Sequence, residues 1–387
     1  MEAYLDNAAT TRVFSQVREC MVQVLEKDFG NPSSKHTKGM EAEQYIRQTR
    51  DEIAKTLKCQ GAEIVFTSGG TEANNMALIG AAMANKRAGM HIITTRIEHA
   101  SVHETLAFLE EQGFTVTYLP VDEMGHLSPD VLKEALTPET TVVSVMYVNN
   151  EMGAVQDIQE LAEVVHAYGP NILFHVDAIQ AYGKYRIVPK RMGIDLLSVS
   201  GHKLHGPKGT GFLYVRERAK IRPILFGGGQ QKGFRPGTEN VPGIAGMGEA
   251  IRLMMEDRQQ KVDKLYGCKE RFLRGLQELE GITVNGTDLD SLRESAPHIV
   301  SVSFEGIRSE VLLHALAEKG VYVSSGSACS SNHPELSGTL QAIGVPEGLL
   351  DSTLRFSFSV DTEEEEIAYA LEQLKELLPA LRRFVRH

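Results

Sequence analysis

The sequence predicts an α/β protein: a large unit built on a mostly parallel sheet with helices on both faces, joined to a smaller α+β unit. Three observations carry that reading. From about Ile64, short apolar runs alternate with helix-length stretches, the rhythm of a covered parallel sheet. After a Gly- and Pro-rich passage at 223–242, a second series of strands and helices begins. The 387 residues also exceed the length at which one core usually stops growing, so two domains are expected.

Taken in order, residues 1–14 are short and β-like and end in Asp6-Asn7-Ala8-Ala9-Thr10-Thr11, small polar residues that favour a turn beside a site. Val17, Met21, Val24 and Leu25 repeat at helical spacing. Phe29-Gly30-Asn31-Pro32-Ser33-Ser34 is a loop, and a polar helix covers 38–57. Strands are expected at 64–66, 91–94, 115–119, 142–148, 172–176, 196–199 and 211–215, with helices at 72–86, 101–112, 128–135 and 157–168 between most of them. One long helix is expected over 243–279. Beyond it come strands at 282–285, 299–304 and 353–358 and helices at 309–319 and 362–385. Acid at Glu363–Glu366 and base at Arg382, Arg383 and Arg386 suit the dipole of the last helix.

A formal net charge of −11 argues against nucleic acid as a direct partner. No run approaches the ~20 apolar residues that span a bilayer, and the first residues lack the pattern of a signal peptide, so a cytoplasmic location is expected. Cys20, Cys59, Cys268 and Cys329 form no CxxC pair, so neither a zinc site nor a disulfide framework is expected.

The residues that carry chemistry follow strands. Thr67-Ser68-Gly69-Gly70-Thr71-Glu72 opens a helix, whose free N–H groups can bind an anion beside the Thr71 hydroxyl; a capped turn without a ligand reads the same way. His99 sits just past a strand, where an imidazole either stacks on a flat cofactor and shuttles protons or merely caps a helix. Asp177 ends an apolar strand, and a buried carboxylate needs a positive partner such as a protonated pyridine nitrogen, unless it is a helix cap. Gln180 is placed to reach a ring oxygen. Ser200-Gly201-His202-Lys203 then brings an amine to a strand end, with Ser200 and His202 within reach of a phosphate. A lysine so placed points to a Schiff base with pyridoxal 5′-phosphate. Cys329, in Ser324-Ser325-Gly326-Ser327-Ala328-Cys329-Ser330-Ser331, has polar and small neighbours that suit a reactive thiol rather than a core one.

Together these stretches resemble the cysteine desulfurases of the NifS/IscS type (group I), in the class V aminotransferase-like family of pyridoxal-phosphate enzymes. The resemblance runs from Tyr4 to Ser357. It implies fold type I, with a large cofactor-binding domain at 15–255 and a small domain from 1–14 and 256–387 that carries the catalytic-cysteine loop at about 324–337. It implies Lys203 as the Schiff-base lysine, His99 as the stacking acid/base, Asp177 on the pyridine nitrogen and Gln180 on the ring hydroxyl. Gly70, Thr71, Ser200 and His202 would hold the phosphate, joined by Thr238 from the second subunit of a homodimer. Asn150 would touch cofactor and substrate, Asn31 and Arg355 the substrate carboxylate, and Cys329 would take the sulfur of L-cysteine. The implied acceptor is an Fe–S scaffold or a tRNA-thiolation protein. Alternatives on this scaffold are a selenocysteine lyase, another aminotransferase-like enzyme, or a non-catalytic sulfur-relay subunit. The sequence ends at His387, soon after the last helix, so docking through a longer C-terminal tail is not expected.

Overall fold

The computed structural model describes residues 1–325 and 336–384. In chain order the elements are β1 (Ala3–Tyr4), α1 (Ser15–Glu26), α2 (Thr37–Leu57), β2 (Ile64–Thr67), α3 (Gly70–Asn85), β3 (His91–Thr95), α4 (Ala100–Glu111), β4 (Thr115–Leu119), α5 (Pro129–Ala135), β5 (Thr140–Met146), α6 (Ile158–Tyr168), β6 (Leu173–Asp177), β7 (Leu196–Ser200) and β8 (Gly211–Val215). There follow α7 (Val241–Met255), α8 (Arg258–Leu276), β9 (Ile282–Asn285), β10 (Ile299–Phe304), α9 (Ser309–Glu318), β11 (Val321–Tyr322), β12 (Ser324–Ser325), α10 (Gly338–Ala342), α11 (Glu347–Leu350), β13 (Thr353–Ser357) and α12 (Glu364–Phe384).

The central sheet has seven strands in the order β2-β8-β7-β6-β5-β3-β4, and only β8 runs against the rest. Strand residues alternate between its faces. Phe66, Ile93, Val143, Phe174, Val176, Leu197 and Tyr214 pack with helices α2, α6 and α7 on one side. Val65, Ile92, Val142, Leu173, Leu196 and Leu213 pack with α3 and α4 on the other. Both faces are dry, which is why the strands read as unbroken apolar runs.

A second sheet, β12-β13-β10-β9, is antiparallel and shares its own core with α8, α9 and α12. β1 pairs in parallel with β11, and a bridge from Asp6 to Ser357 fastens the first residues of the chain to β13. The expected single helix over 243–279 is two helices. Glu256 is extended and Asp257 takes a left-handed conformation (φ 48°, ψ 32°), so the chain turns between α7 and α8 while apolar spacing continues on both sides. That continuity is what made the break invisible to periodicity.

Candidate active site

The carboxyl ends of β3, β6 and β7 open onto one cavity of about 580 Å³, the place where open α/β sheets bind ligands. Its wall includes Gly70, Thr71, His99, Asn150, Asp177, Gln180, Ser200, His202, Lys203 and Arg355, all expected from the sequence.

Lys203 ends a short turn after β7, and its Nζ donates to the carbonyl oxygens of Ala8 (2.5 Å) and Ala9 (2.6 Å). Burial, with help from Arg355, pulls its ammonium down to about 8, against the opposing charges of Asp6 and Asp177. Asp177 is the last residue of β6 and is buried. Its Oδ1 accepts from the Ile179 backbone N–H (3.0 Å) and its Oδ2 from Asn74 Nδ2 (2.8 Å). Burial still pushes its carboxyl up, so the site gains from a cation placed there. Gln180 Nε2 donates to the Ala8 carbonyl (2.9 Å), which turns Gln180 Oε1 toward His298 Nε2 (3.0 Å).

At the other end, α3 begins at Gly70 with no side-chain cap. Gly69 before it has φ 157° and ψ −174°, a conformation essentially confined to glycine. A Cβ on Gly70 would stand 2.2 Å from Ile179 Cδ1, so a larger residue there would have to displace the Ile179 side chain. Ser200, His202 and Lys208 lie alongside this helix start. Burial, with Lys203 and Lys208 nearby, lowers the His202 imidazole to about 4, leaving it neutral. His99 is the N-cap of α4: its Nδ1 accepts from the Ser101 N–H at 3.0 Å and lies 2.9 Å from Ser101 Oγ. The histidine therefore caps the helix and also lines the cavity.

Arg355, on β13, reaches across from the second sheet. Its guanidinium donates to the Asn150 carbonyl (2.9 Å) and to Asp6 Oδ1 (2.8 Å), and its buried Nε has no partner. Asn31 and Thr238 do not line this cavity. Both are exposed, and Asn31 Oδ1 is occupied by the Ser33 N–H (2.9 Å). Cys329 lies outside the described residues, but its flanks, Ser324 and Ser325 on one side and Leu336 to Thr339 on the other, line the cavity.

Several functional neighbours escaped the sequence reading. Glu98 is buried beside His99, its Oε1 accepting from Thr95 Oγ1 (2.7 Å) and Met146 N–H (2.9 Å) and its Oε2 unpartnered. Burial raises it to about 8. Asn74 and Ser101 join Asp177 to His99, and Glu151 anchors Ser337 (2.5 Å) and Thr339 (3.1 Å) at the cavity rim. The adjacent letters Glu98-His99 were the available signal. Asn74 and Ser101 carried none beyond their helical positions.

Pyridoxal phosphate fits this geometry on three counts: an amine eased toward neutrality, a desolvated carboxylate short of a cation, and an uncapped helix N-terminus for a phosphate.

The comparisons agree. The family described as Aminotransferase class-V matches residues 3–369. The chain is 43% identical to the cysteine desulfurase IscS of Dictyoglomus turgidum, covering 98% of this chain and 95% of that one. It is equally 43% identical to the protein of that name from Methanosarcina thermophila, covering 98% and 92%. Among solved structures it resembles a NifS-like protein with a TM-score of 0.92 and 36% identity, covering 98% of this chain and all of that one. It also resembles SspA in complex with cysteine, with a TM-score of 0.79, 36% identity, and 92% and 99% coverage. The chain thus belongs to the class-V aminotransferase family and, within it, to the pyridoxal-phosphate-dependent cysteine desulfurases of the NifS/IscS type.

Proposed function

We propose that this chain takes the sulfur of L-cysteine onto Cys329 as a persulfide and leaves L-alanine. The observation that carries the reading is the convergence of Lys203, Asp177, Arg355 and both flanks of the Cys329 segment on one cavity. The solved relative that holds cysteine supports the choice of amino acid.

Bound pyridoxal phosphate supplies an electron sink for the charge left when the substrate Cα gives up its proton. Asp177 would keep the pyridine nitrogen protonated, Gln180 would hold the ring hydroxyl, and His99 would give the ring a flat imidazole to stack on. Gly70, Thr71, Ser200 and His202 would hold the phosphate, with Thr238 of the partner subunit. Arg355, with Asn150 and Asn31, holds the substrate carboxylate, since a guanidinium fork matches two carboxylate oxygens. Lys203 Nζ would carry the cofactor, then take the α-proton and return it. The Cys329 thiolate would attack the substrate sulfur; the S–S bond forms as the Cβ–S bond breaks, its electron pair stays with the carbon side, and a proton taken up at Cβ completes alanine.

The exposed positions of Thr238 and Asn31 support a homodimeric site, as do the exposed apolar side chains of Phe226 (81%) and Phe29 (69%). The two-domain reading, with a large domain at 15–255 and a small one at 1–14 and 256–387, is supported by the separate cores of the two sheets. No helix among the described residues is long and apolar enough to cross a membrane. We place the enzyme in the cytoplasm, supplying sulfur to an Fe–S scaffold or a tRNA-thiolation protein. Mass spectrometry after incubation with L-cysteine should find one added sulfur on Cys329 and an equivalent of alanine. Alanine formation at the parent rate by Cys329→Ser would remove the thiol from the mechanism.

A further inference from the structure

We propose that the start of α4 holds His99 as the neutral imidazole with its proton on Nε2, so that His99 meets the bound substrate as a hydrogen-bond donor. The substrate in that sentence rests on the desulfurase reading; the tautomer follows from this chain's own atoms.

A backbone N–H can only donate. The Ser101 N–H lies 3.0 Å from His99 Nδ1, so Nδ1 accepts and the neutral ring carries its proton on Nε2. The Ser101 hydroxyl, 2.9 Å from the same nitrogen, is oriented from behind. Asn74 Nδ2 gives one hydrogen to Asp177 Oδ2 (2.8 Å) and the other to Ser101 Oγ (2.9 Å). Both amide hydrogens are then spent, and Asn74 Oδ1 is left buried without a partner. Turning the amide over would press Oδ1 against the Asp177 carboxylate. Ser101 Oγ, already accepting from Asn74, is free to direct its own hydrogen at Nδ1. A chain of four side chains thus runs from Asp177 through Asn74 and Ser101 to His99.

Protonation of the ring would put a hydrogen on Nδ1 facing the Ser101 backbone N–H, which cannot accept it. The other groups around it divide. Asp177 at the end of β6 favours the charged ring, whereas Lys203 after β7 and Arg355 on β13 oppose it. His103, one turn along α4, is a further charge-sensitive neighbour. Burial is the largest influence and also keeps the ring neutral. Nε2 makes no hydrogen bond among the described residues and is the nitrogen left for the cavity. Its Nε2–H is then available to the cavity, where a donor stabilises negative charge.

Neutron diffraction from crystals of the holoenzyme at neutral pH reads the proton directly. The expected result is deuterium on His99 Nε2 and none on Nδ1. Deuterium on Nδ1, alone or on both nitrogens, overturns the proposal. Ser101→Ala, which keeps the backbone donor and loses the hydroxyl, should lower kcat about three- to tenfold with little change in KM and move its acid limb to higher pH. Ser101→Thr should restore both. An unmoved pH profile in a folded Ser101→Ala protein removes the hydroxyl from the account. If L-cysteine yields no alanine, the desulfurase reading fails while the neutron result still stands or falls alone.

Discussion

Lys203 Nζ lies 2.5 Å from the carbonyl oxygen of Ala8, a residue 195 positions earlier, and the same oxygen accepts from Gln180 Nε2. One backbone carbonyl thus sets both the amine and the amide on the cavity wall. Only a neutral amine adds to the aldehyde of pyridoxal phosphate. Because Lys203 is lowered to about 8, uptake of the cofactor by stripped protein should rise about tenfold per pH unit below 8 and level off above it. An ordinary lysine would still be climbing near pH ~10. Stopped-flow absorbance across that range checks the plateau, and Lys203→Ala should show no band that borohydride removes.

Arg355→Lys keeps the positive charge and loses the fork. The lysine can no longer span both Asn150 and Asp6 while gripping a carboxylate. KM for L-cysteine should rise by about 10–100-fold with kcat much less affected. Steady-state alanine production reads both numbers. A KM that stays put would move carboxylate recognition elsewhere.

Glu98 has the opposite electrostatics to the usual surface carboxylate. Raised from 4.5 to about 8 by burial, it keeps a proton in the folded chain that the unfolded chain releases in between. The folded state binds more protons in that window, so stability falls as pH rises from about 5 to 8. Glu98→Gln preserves the acceptor for Thr95 and Met146 and has nothing to titrate. Its stability should therefore gain on the parent over that range by up to a few kcal/mol, measured by urea unfolding of cofactor-free protein. A constant difference between the two proteins at pH 5 and pH 8 would mean that Glu98 is ionised throughout.

His298, just before β10, donates across the two sheets to Gln180 Oε1. Burial and the cations Lys184 and Lys269 hold its ring neutral. His298→Ala leaves the Gln180 acceptor buried and empty. The cost should be about 1–3 kcal/mol of stability, together with a shifted cofactor absorbance maximum. Loss of stability without any spectral shift would confine His298 to packing.

Much of this was readable in the letters. Elements with a strong period appear where expected: β4 and β8 match the expected spans, and α3, α4 and α6 begin within two residues of theirs. The residues that follow strands, from Gly70 to Lys203, do meet in one cavity, because a parallel sheet delivers the carboxyl ends of its strands to one edge. What periodicity could not supply was anything set by a single backbone conformation or by distant pairing. The break at Asp257 is one left-handed residue inside an unbroken apolar pattern. Asn74 and Ser101 look like ordinary helix residues until β6 brings Asp177 against them. Thr238 and Asn31 are exposed and do not line the cavity of their own chain, so the fold of one chain does not bring them to it.

The pairing of Asp6 with Arg355, 349 residues apart, has a consequence for how the enzyme is made. The Ala8 and Ala9 carbonyls that hold Lys203 belong to a segment whose neighbours, Ser357 and Arg355, lie near the other end of the chain. The large sheet can assemble on the ribosome without them, but closing so long a loop waits for β13. The backbone oxygens that meet the reactive amine are thus held from the far end of the chain, and the surroundings of Lys203 are complete only once β13 is in place.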